Sequence, residues 1–273
     1  MTIWIIGPVA WDSVVYTDQW LKRGAFTQGV RFIERSGGTA ANVARALATA
    51  NVDTGFIGYL GNDQHGRDIE ADLKASQINQ LEITKIDGPT SHVLILVDDS
   101  GERTILGLAA DHLDVVNLQN VDLKPDDIVV FVLWRNHFAA DLELAKSRGC
   151  KIIVGLDAAN DPAVQSADIA IGSHNDLAKG IEPNELLNRF ATIVVTQGEK
   201  GATEYSKNSK THQPAFPAEV IDTTGAGDAF LAGYLTALSR GESDAKQRLS
   251  MGAKWAAKTV ATESSVPPPF GSL

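Results

Sequence analysis

The sequence predicts an α/β fold, with a mostly parallel central sheet between helices and a small β-sheet beside it. Three observations predict it. Short apolar runs alternate with stretches of helical spacing along most of the chain. Two segments, at about 13–35 and 90–107, break that rhythm with strand-like alternation. The chain has 273 residues, enough for one large α/β domain with an appendage.

The apolar runs lie at 3–6, 54–57, 128–133, 151–156, 169–171 and 192–196. Helical spacing falls at 40–50, 68–76, 139–147 and 185–190. Alternating β and α units place parallel strands side by side and helices on both faces. In the second irregular segment, His92-Val93-Leu94-Ile95-Leu96-Val97, a turn at Asp98-Asp99-Ser100-Gly101, and Arg103-Thr104-Ile105-Leu106 predict a hairpin. Such insertions pair into a lid over the ligand crevice at the strand C-termini. We expect one domain spanning 1–273, with lid segments at about 13–35 and 90–107. The proline run at 267–269 predicts an extended surface tail.

Composition narrows the function. The formal charge of −10 argues against a nucleic-acid footprint. Cys150 is the single cysteine, so no disulfide framework or cysteine zinc site forms within the chain; it reads as a buried residue at a strand start. No apolar run approaches the roughly 18 residues of a membrane helix, and the N-terminal stretch lacks a basic leader. A cytoplasmic location without membrane partners is the resulting expectation.

The most informative stretch is Asp222-Thr223-Thr224-Gly225-Ala226-Gly227-Asp228-Ala229-Phe230. An apolar lead-in reaches a glycine turn, and a helix follows. Gly225 and Gly227 let successive N–H groups converge, and the helix start adds unsatisfied donors and the positive end of its dipole. Gly225, Ala226 and Gly227 therefore form an anion cradle suited to a moving phosphoryl group. Asp228 reads two ways on local chemistry: as a helix cap, or as the base that takes the proton of an attacking hydroxyl. The Walker A pattern is absent, and Phe230 breaks the dinucleotide fingerprint.

These residues closely resemble the C-terminal signature of the PfkB/ribokinase family of carbohydrate kinases. Ser36-Gly37-Gly38-Thr39-Ala40-Ala41-Asn42-Val43-Ala44 is similar to the family's Gly-Gly-x-x-x-Asn-x-Ala segment. Gly58-Tyr59-Leu60-Gly61-Asn62-Asp63-Gln64-His65-Gly66 resembles its Gly-x-x-Gly-x-Asp-x-x-Gly turn, and Thr196-Gln197-Gly198-Glu199-Lys200-Gly201 its Thr-x-Gly-x-x-Gly loop. The four motifs run in family order along nearly the whole chain.

The resemblance implies a ribokinase-like three-layer sandwich and transfer of the γ-phosphate of ATP to a hydroxyl of a small sugar or sugar derivative. It implies Asp228 as base. Asp12, Gly38 and Asn42 would bind the acceptor, joined by Arg103 from the hairpin, which also reads as a solvated charge. Thr196, Gly198, Gly201, Thr224, Gly225 and Gly227 would flank ATP. Trp134 and Arg135 follow a strand end and read equally as substrate contacts or as a buried aromatic with a surface neighbour.

The resemblance also implies Mg²⁺, and K⁺ through a monovalent-cation loop after the last long helix. The family's Asn-x-x-Glu magnesium motif is absent: its place reads Gly172-Ser173-His174-Asn175-Asp176-Leu177-Ala178. Asp176 and Asp157 are nearby carboxylates, but no metal ligand is assigned. The cation loop reads Val260-Ala261-Thr262-Glu263-Ser264-Ser265 in place of a Gly-Ala turn. The Ser-containing segment resembles ketohexokinase-type members, which favours a fructose-like acceptor. A nucleoside, fructosamine or sugar acid is the alternative, as is a non-catalytic ligand-binding protein on the same fold. Lid sheets in this family pair between subunits, which makes a homodimer an expectation too.

Overall fold

The structure is a computed structural model that describes residues 1–108 and 112–272. Its strands and helices run in the order β1 (Ile3–Ile6), β2 (Ala10–Tyr16), β3 (Arg31–Gly37), α1 (Thr39–Thr49), β4 (Thr54–Gly61), α2 (Gln64–Ala75), β5 (Gln80–Ile86), β6 (His92–Val97) and β7 (Arg103–Gly107). There follow β8 (Ile128–Phe131), α3 (Ala139–Ser147), β9 (Lys151–Gly155), β10 (Ala167–Ser173), β11 (Phe190–Thr196), β12 (Ala202–Ser206), β13 (Ser209–Gln213), α4 (Ala226–Ser239) and α5 (Ala245–Val260).

Nine strands form the central sheet in the order β13-β12-β11-β10-β9-β8-β1-β4-β5. From β11 to β5 every pairing is parallel, and β12 and β13 extend the edge antiparallel. The alternation of β1 shows why both faces are covered. Ile3 and Ile5 pack into a core with α1, α2, α4 and α5, while Trp4 and Ile6 pack into a second core with Leu142 and Ala145 of α3. The α/β sandwich expected from the sequence is the observed fold.

The four remaining strands form a separate sheet in the order β3-β2-β6-β7. The hairpin turns where the sequence places it, with Val97 opposite Arg103. Val14, Ile95 and Val97 give this sheet a small buried core of its own. Asp63 ties it to the main body. Its carboxylate caps α2 by accepting the Gly66 N–H at 2.8 Å, and it also accepts the Thr90 N–H and hydroxyl at 2.8 and 2.6 Å.

Several expectations change. The segment expected as a helix at 185–190 is a 3₁₀ turn, Pro183–Asn188, and Phe190 already begins β11. Six residues leave no room for an α-helix to repay its nucleation, and burial of Phe190 in the sheet decides the boundary. Strands β5, β12 and β13 have too little continuous apolar character to stand out in the sequence. The proline tail is docked rather than loose: Trp255 Nε1 donates to the Pro268 carbonyl at 2.8 Å, and Phe270 packs edge-on against the Trp255 ring. Cys150 is buried and free.

Candidate active site

The site is assembled at the start of α4. Gly225 precedes the helix with φ +80°, a left-handed conformation that costs an L-side chain about 1–2 kcal/mol. A Cβ there would also overlap the Ser265 carbonyl oxygen. The turn is closed by the Ala226 N–H on the Thr223 carbonyl, and the first intrahelical bond runs from Ala229 N–H to the Gly225 carbonyl. The N–H groups of Gly227 and Asp228 thus fall in the first turn, where the helix supplies no acceptor. A Cβ on Gly227 would meet nothing within 4 Å, so the cradle opens onto free space.

Asp228 does not cap the helix: no side-chain bond closes its start. Its Oδ2 instead accepts Asn42 Nδ2–H at 2.8 Å, from α1. Burial pushes the Asp228 carboxyl up to about 6, while the Asn42 hydrogen bond and the Arg103 charge oppose the rise. Asn42 Oδ1 is buried without a partner and remains an acceptor for an incoming donor.

Asp12 lies across the same opening on β2. It is buried, and burial pushes it up to about 7; Arg35 opposes this, Asp228 adds to it, and Arg45 opposes it. Gly38 lets the start of α1 approach the connection between β1 and β2. Its φ is +93°, and a Cβ would come within 2.5 Å of the Val9 Cα.

The hairpin reaches the cradle. Arg103 Nη1 donates to Thr223 Oγ1 at 2.6 Å, and Thr223 Oγ1 lies 3.4 Å from the Gly101 carbonyl. On the other side of the crevice, Thr196 ends β11 with its hydroxyl on the Gly172 carbonyl at 3.2 Å. Gly198 is exposed, whereas Gly201 is buried against the Gln213 backbone, so close chain packing accounts for Gly201. Thr224 is buried with its hydroxyl unpartnered, and its N–H donates to Asp222 Oδ1 at 2.8 Å. Trp134 belongs to the core: it packs on Phe131 and Phe138, and its Nε1 donates to Asp161 at 2.8 Å.

Among the described residues, no group of three His, Cys, Asp or Glu side chains could hold a metal alone. Asp157 and Asp176 stand at the ends of neighbouring strands. Burial raises both, and the Asp176 charge raises Asp157 further.

Three residues close to the site were not singled out from the sequence. Asp222 is fully buried beneath the cradle, Arg35 faces both Asp222 and Asp12, and Arg45 is buried behind Asp12 with its Nη2 on Ser36 Oγ. The period of two on β3 carries the signal for Arg35, since it pairs directly opposite Asp12.

The model of the pfkB family carbohydrate kinases matches residues 3–269. The chain is similar to an ATP-dependent ribose-1-phosphate kinase of Halopiger xanaduensis, 28% identical over 250 residues that cover 84% of this chain and 82% of that one. It is 29% identical over 248 residues to a fructokinase of Klebsiella pneumoniae, covering 77% and 78%. Among solved structures, a nucleoside kinase of Burkholderia thailandensis in complex with inosine superposes with a TM-score of 0.84 at 19% identity, covering 99% and 95%.

Proposed function

The chain belongs to the PfkB family of carbohydrate kinases, a phosphotransferase family with hydroxyl acceptors, and from that premise we propose that Asp228 is its catalytic base. The single observation behind this reading is the juxtaposition of Asp228 and the open cradle. The carboxylate is bonded to Asn42 instead of capping its own helix.

In this mechanism the acceptor lies between Asp12, Asn42 and Asp228. Asp12 accepts hydrogen bonds from its hydroxyls, and Asn42 Oδ1 accepts another. The reacting hydroxyl oxygen attacks the γ-phosphorus of ATP, and its proton passes to Asp228. The bond to the β,γ-bridging oxygen breaks and ADP leaves. The Gly227 and Asp228 N–H groups, the helix dipole and Arg103 stabilise the charge carried by the moving phosphoryl group. A base near 6 is mostly ionised at neutral pH yet basic enough to take the proton. Thr196, Gly198 and Thr224 flank the nucleotide, and the small sheet, with segments at about 13–35 and 90–107, acts as the lid of a single domain.

The nucleotide would bring Mg²⁺, which would neutralise phosphate charge. Asp157 and Asp176 fit it: burial raises Asp157 first and the Asp176 charge adds to the rise, a repulsion that a cation would relieve. They would hold it from the strand ends.

Two carboxylates facing the opening favour an acceptor that enters with uncharged hydroxyls. A fructose-like ketose remains the preferred acceptor, from the Ser173 segment and the fructokinase relative. A ribosyl compound is the second reading, favoured by the kinases that act on ribose 1-phosphate and nucleosides. A panel of ketoses, aldoses, nucleosides, fructosamines and sugar acids with coupled ADP detection separates them. Asp228→Asn should keep nucleotide binding, measured by calorimetry, and lower turnover by about 10²–10⁴. Near-normal turnover would defeat the assignment. Binding without turnover of any acceptor would favour a non-catalytic ligand-binding protein.

A cytoplasmic location is kept as a proposal; no helix of the described residues is long and apolar enough to cross a membrane. The lid also offers a dimer surface. Strand pairing puts Val15, Phe32, Leu94, Leu96 and Leu106 on the face opposite Asp12, with Phe32 59% and Leu106 56% exposed. A homodimer through this face predicts twice the chain mass in light scattering, and the monomer mass for Phe32→Glu.

A further inference from the structure

One guanidinium joins three parts of the site. Arg35 projects from β3 with its side chain 14% exposed. Its Nη1 donates to the Glu263 backbone carbonyl, Nη2 lies 3.7 Å from Asp222 Oδ2, and Nε lies 3.9 Å from Asp12 Oδ2. Nε and Nη2 are buried without any hydrogen-bond acceptor, and Asp222 Oδ2 is buried without a donor. These atoms therefore face one another as charges. Arg31, four residues earlier on the same strand, holds the Glu263 carboxylate at 2.6 Å. Two arginines of one lid strand thus grip the segment that follows α5.

A fully buried carboxylate needs a positive partner, because burying it unpaired is costly. Asp222 carries the turn that becomes the cradle: its Oδ1 fixes the Thr224 N–H, one residue before Gly225. The partner could be a fixed side chain or an ion from solution. Membership of the family raises the second option, since the solved structure of an Escherichia coli phosphofructokinase-2 contains potassium. The residues present here do not fit a monovalent ion at Asp222. Such an ion needs several oxygens that are free to replace its water shell. Here the second Asp222 oxygen faces a guanidinium, and the Glu263 carbonyl is already taken by the same group. An added cation would meet a fixed positive charge at both oxygens.

We propose that Arg35 is the built-in cation of the cradle. It is a positioning residue: it neutralises Asp222, holds the loop that leads into Gly225, and makes the site independent of dissolved monovalent cations. Because the same guanidinium faces Asp12, it also fixes the acceptor carboxylate relative to the cradle.

The test compares wild type, Arg35→Met and Arg35→Lys in potassium, sodium and tetramethylammonium chloride at equal ionic strength. Methionine keeps much of the apolar stem and removes the charge. Thermal melting without ligands is the first readout, and ATP turnover with the acceptor found in the panel is the second. Wild type should give the same melting temperature and turnover in all three salts. Arg35→Met should lose turnover by about 10- to 100-fold, as positioning groups behind a site commonly do. Potassium should restore part of its melting temperature and turnover where tetramethylammonium does not. Arg35→Lys should retain more turnover than Arg35→Met. A wild type activated or stabilised by potassium specifically overturns the proposal, as does full turnover of Arg35→Met in tetramethylammonium. If potassium restores nothing, lysine decides: retained turnover supports a charge role, and equal loss in both variants overturns it. If Arg35→Met does not fold, the wild-type comparison decides alone. The turnover arm rests on the kinase reading; the melting arm does not, so the two can fail separately.

Discussion

Replacing Asn42 with alanine removes the hydrogen bond that holds the Asp228 carboxylate in its charged form. A hydrogen bond to a charged group contributes about 1.5–3 kcal/mol, and one pKa unit corresponds to about 1.4 kcal/mol. Asp228 keeps some solvent access, so water replaces part of the lost donor. An upward shift of about one unit is the reasoned outcome, from about 6 to about 7. Asn42 favours the ionised form, so its loss makes the Asp228 carboxylate harder to ionise. At pH 6.5 the ionised fraction then falls about threefold, while at pH 8.5 it hardly changes.

The assay is kcat/KM against pH for both proteins, which reports the ionisations of the free enzyme. Asp12 contributes its own limb, near 7, to both profiles, so the informative quantity is their ratio. Loss of an acceptor contact through Asn42 lowers that ratio equally at every pH. Detuning of Asp228 lowers it about threefold further at pH 6.5 than at pH 8.5. A ratio independent of pH, in a variant with unchanged circular dichroism, would refute the claim that Asn42 tunes the base.

Two further outcomes follow from the same geometry. Gly225→Ala combines the handedness cost with overlap of the Ser265 carbonyl, and should lower the melting temperature by about 5 °C or more in calorimetry, with loss of turnover. Asp12→Asn should abolish acceptor binding yet help the free protein at high pH. The folded-state value of Asp12 is raised to about 7, so its favourable contribution is full below the unfolded value and is lost as pH rises through about 7. The melting-temperature difference between Asp12→Asn and wild type should therefore become more positive from pH 4 to pH 8.

Much of the fold was legible because it depends on local pattern. The runs at 3–6, 128–131 and 151–155 are apolar on both faces, as parallel strands between two helical layers must be. The hairpin at 92–107 announced itself by its Asp-Asp-Ser-Gly turn. The turn at 183–188 was not legible, because six residues of helical spacing cannot show whether an α or a 3₁₀ turn will form before a buried Phe190. Strands β12 and β13 were hidden for another reason. They end the sheet antiparallel, and polar residues such as Glu204, on the strand next to the edge, are paired by Tyr234 of α4 and Arg248 of α5.

Local sequence pattern accounts for the α/β architecture, the glycine turn at 225–227 and the carboxylate at 228, since these rest on residues near one another in the chain. Tertiary structure decided what that carboxylate is bonded to. Asn42 and Asp228 are 186 residues apart, and only the packing of α1 against α4 brings them to 2.8 Å. The same holds for Arg35. The alternation of β3 can put Arg35 opposite Asp12, but its approach to Asp222 is set by the packing of β3 against the segment after α5.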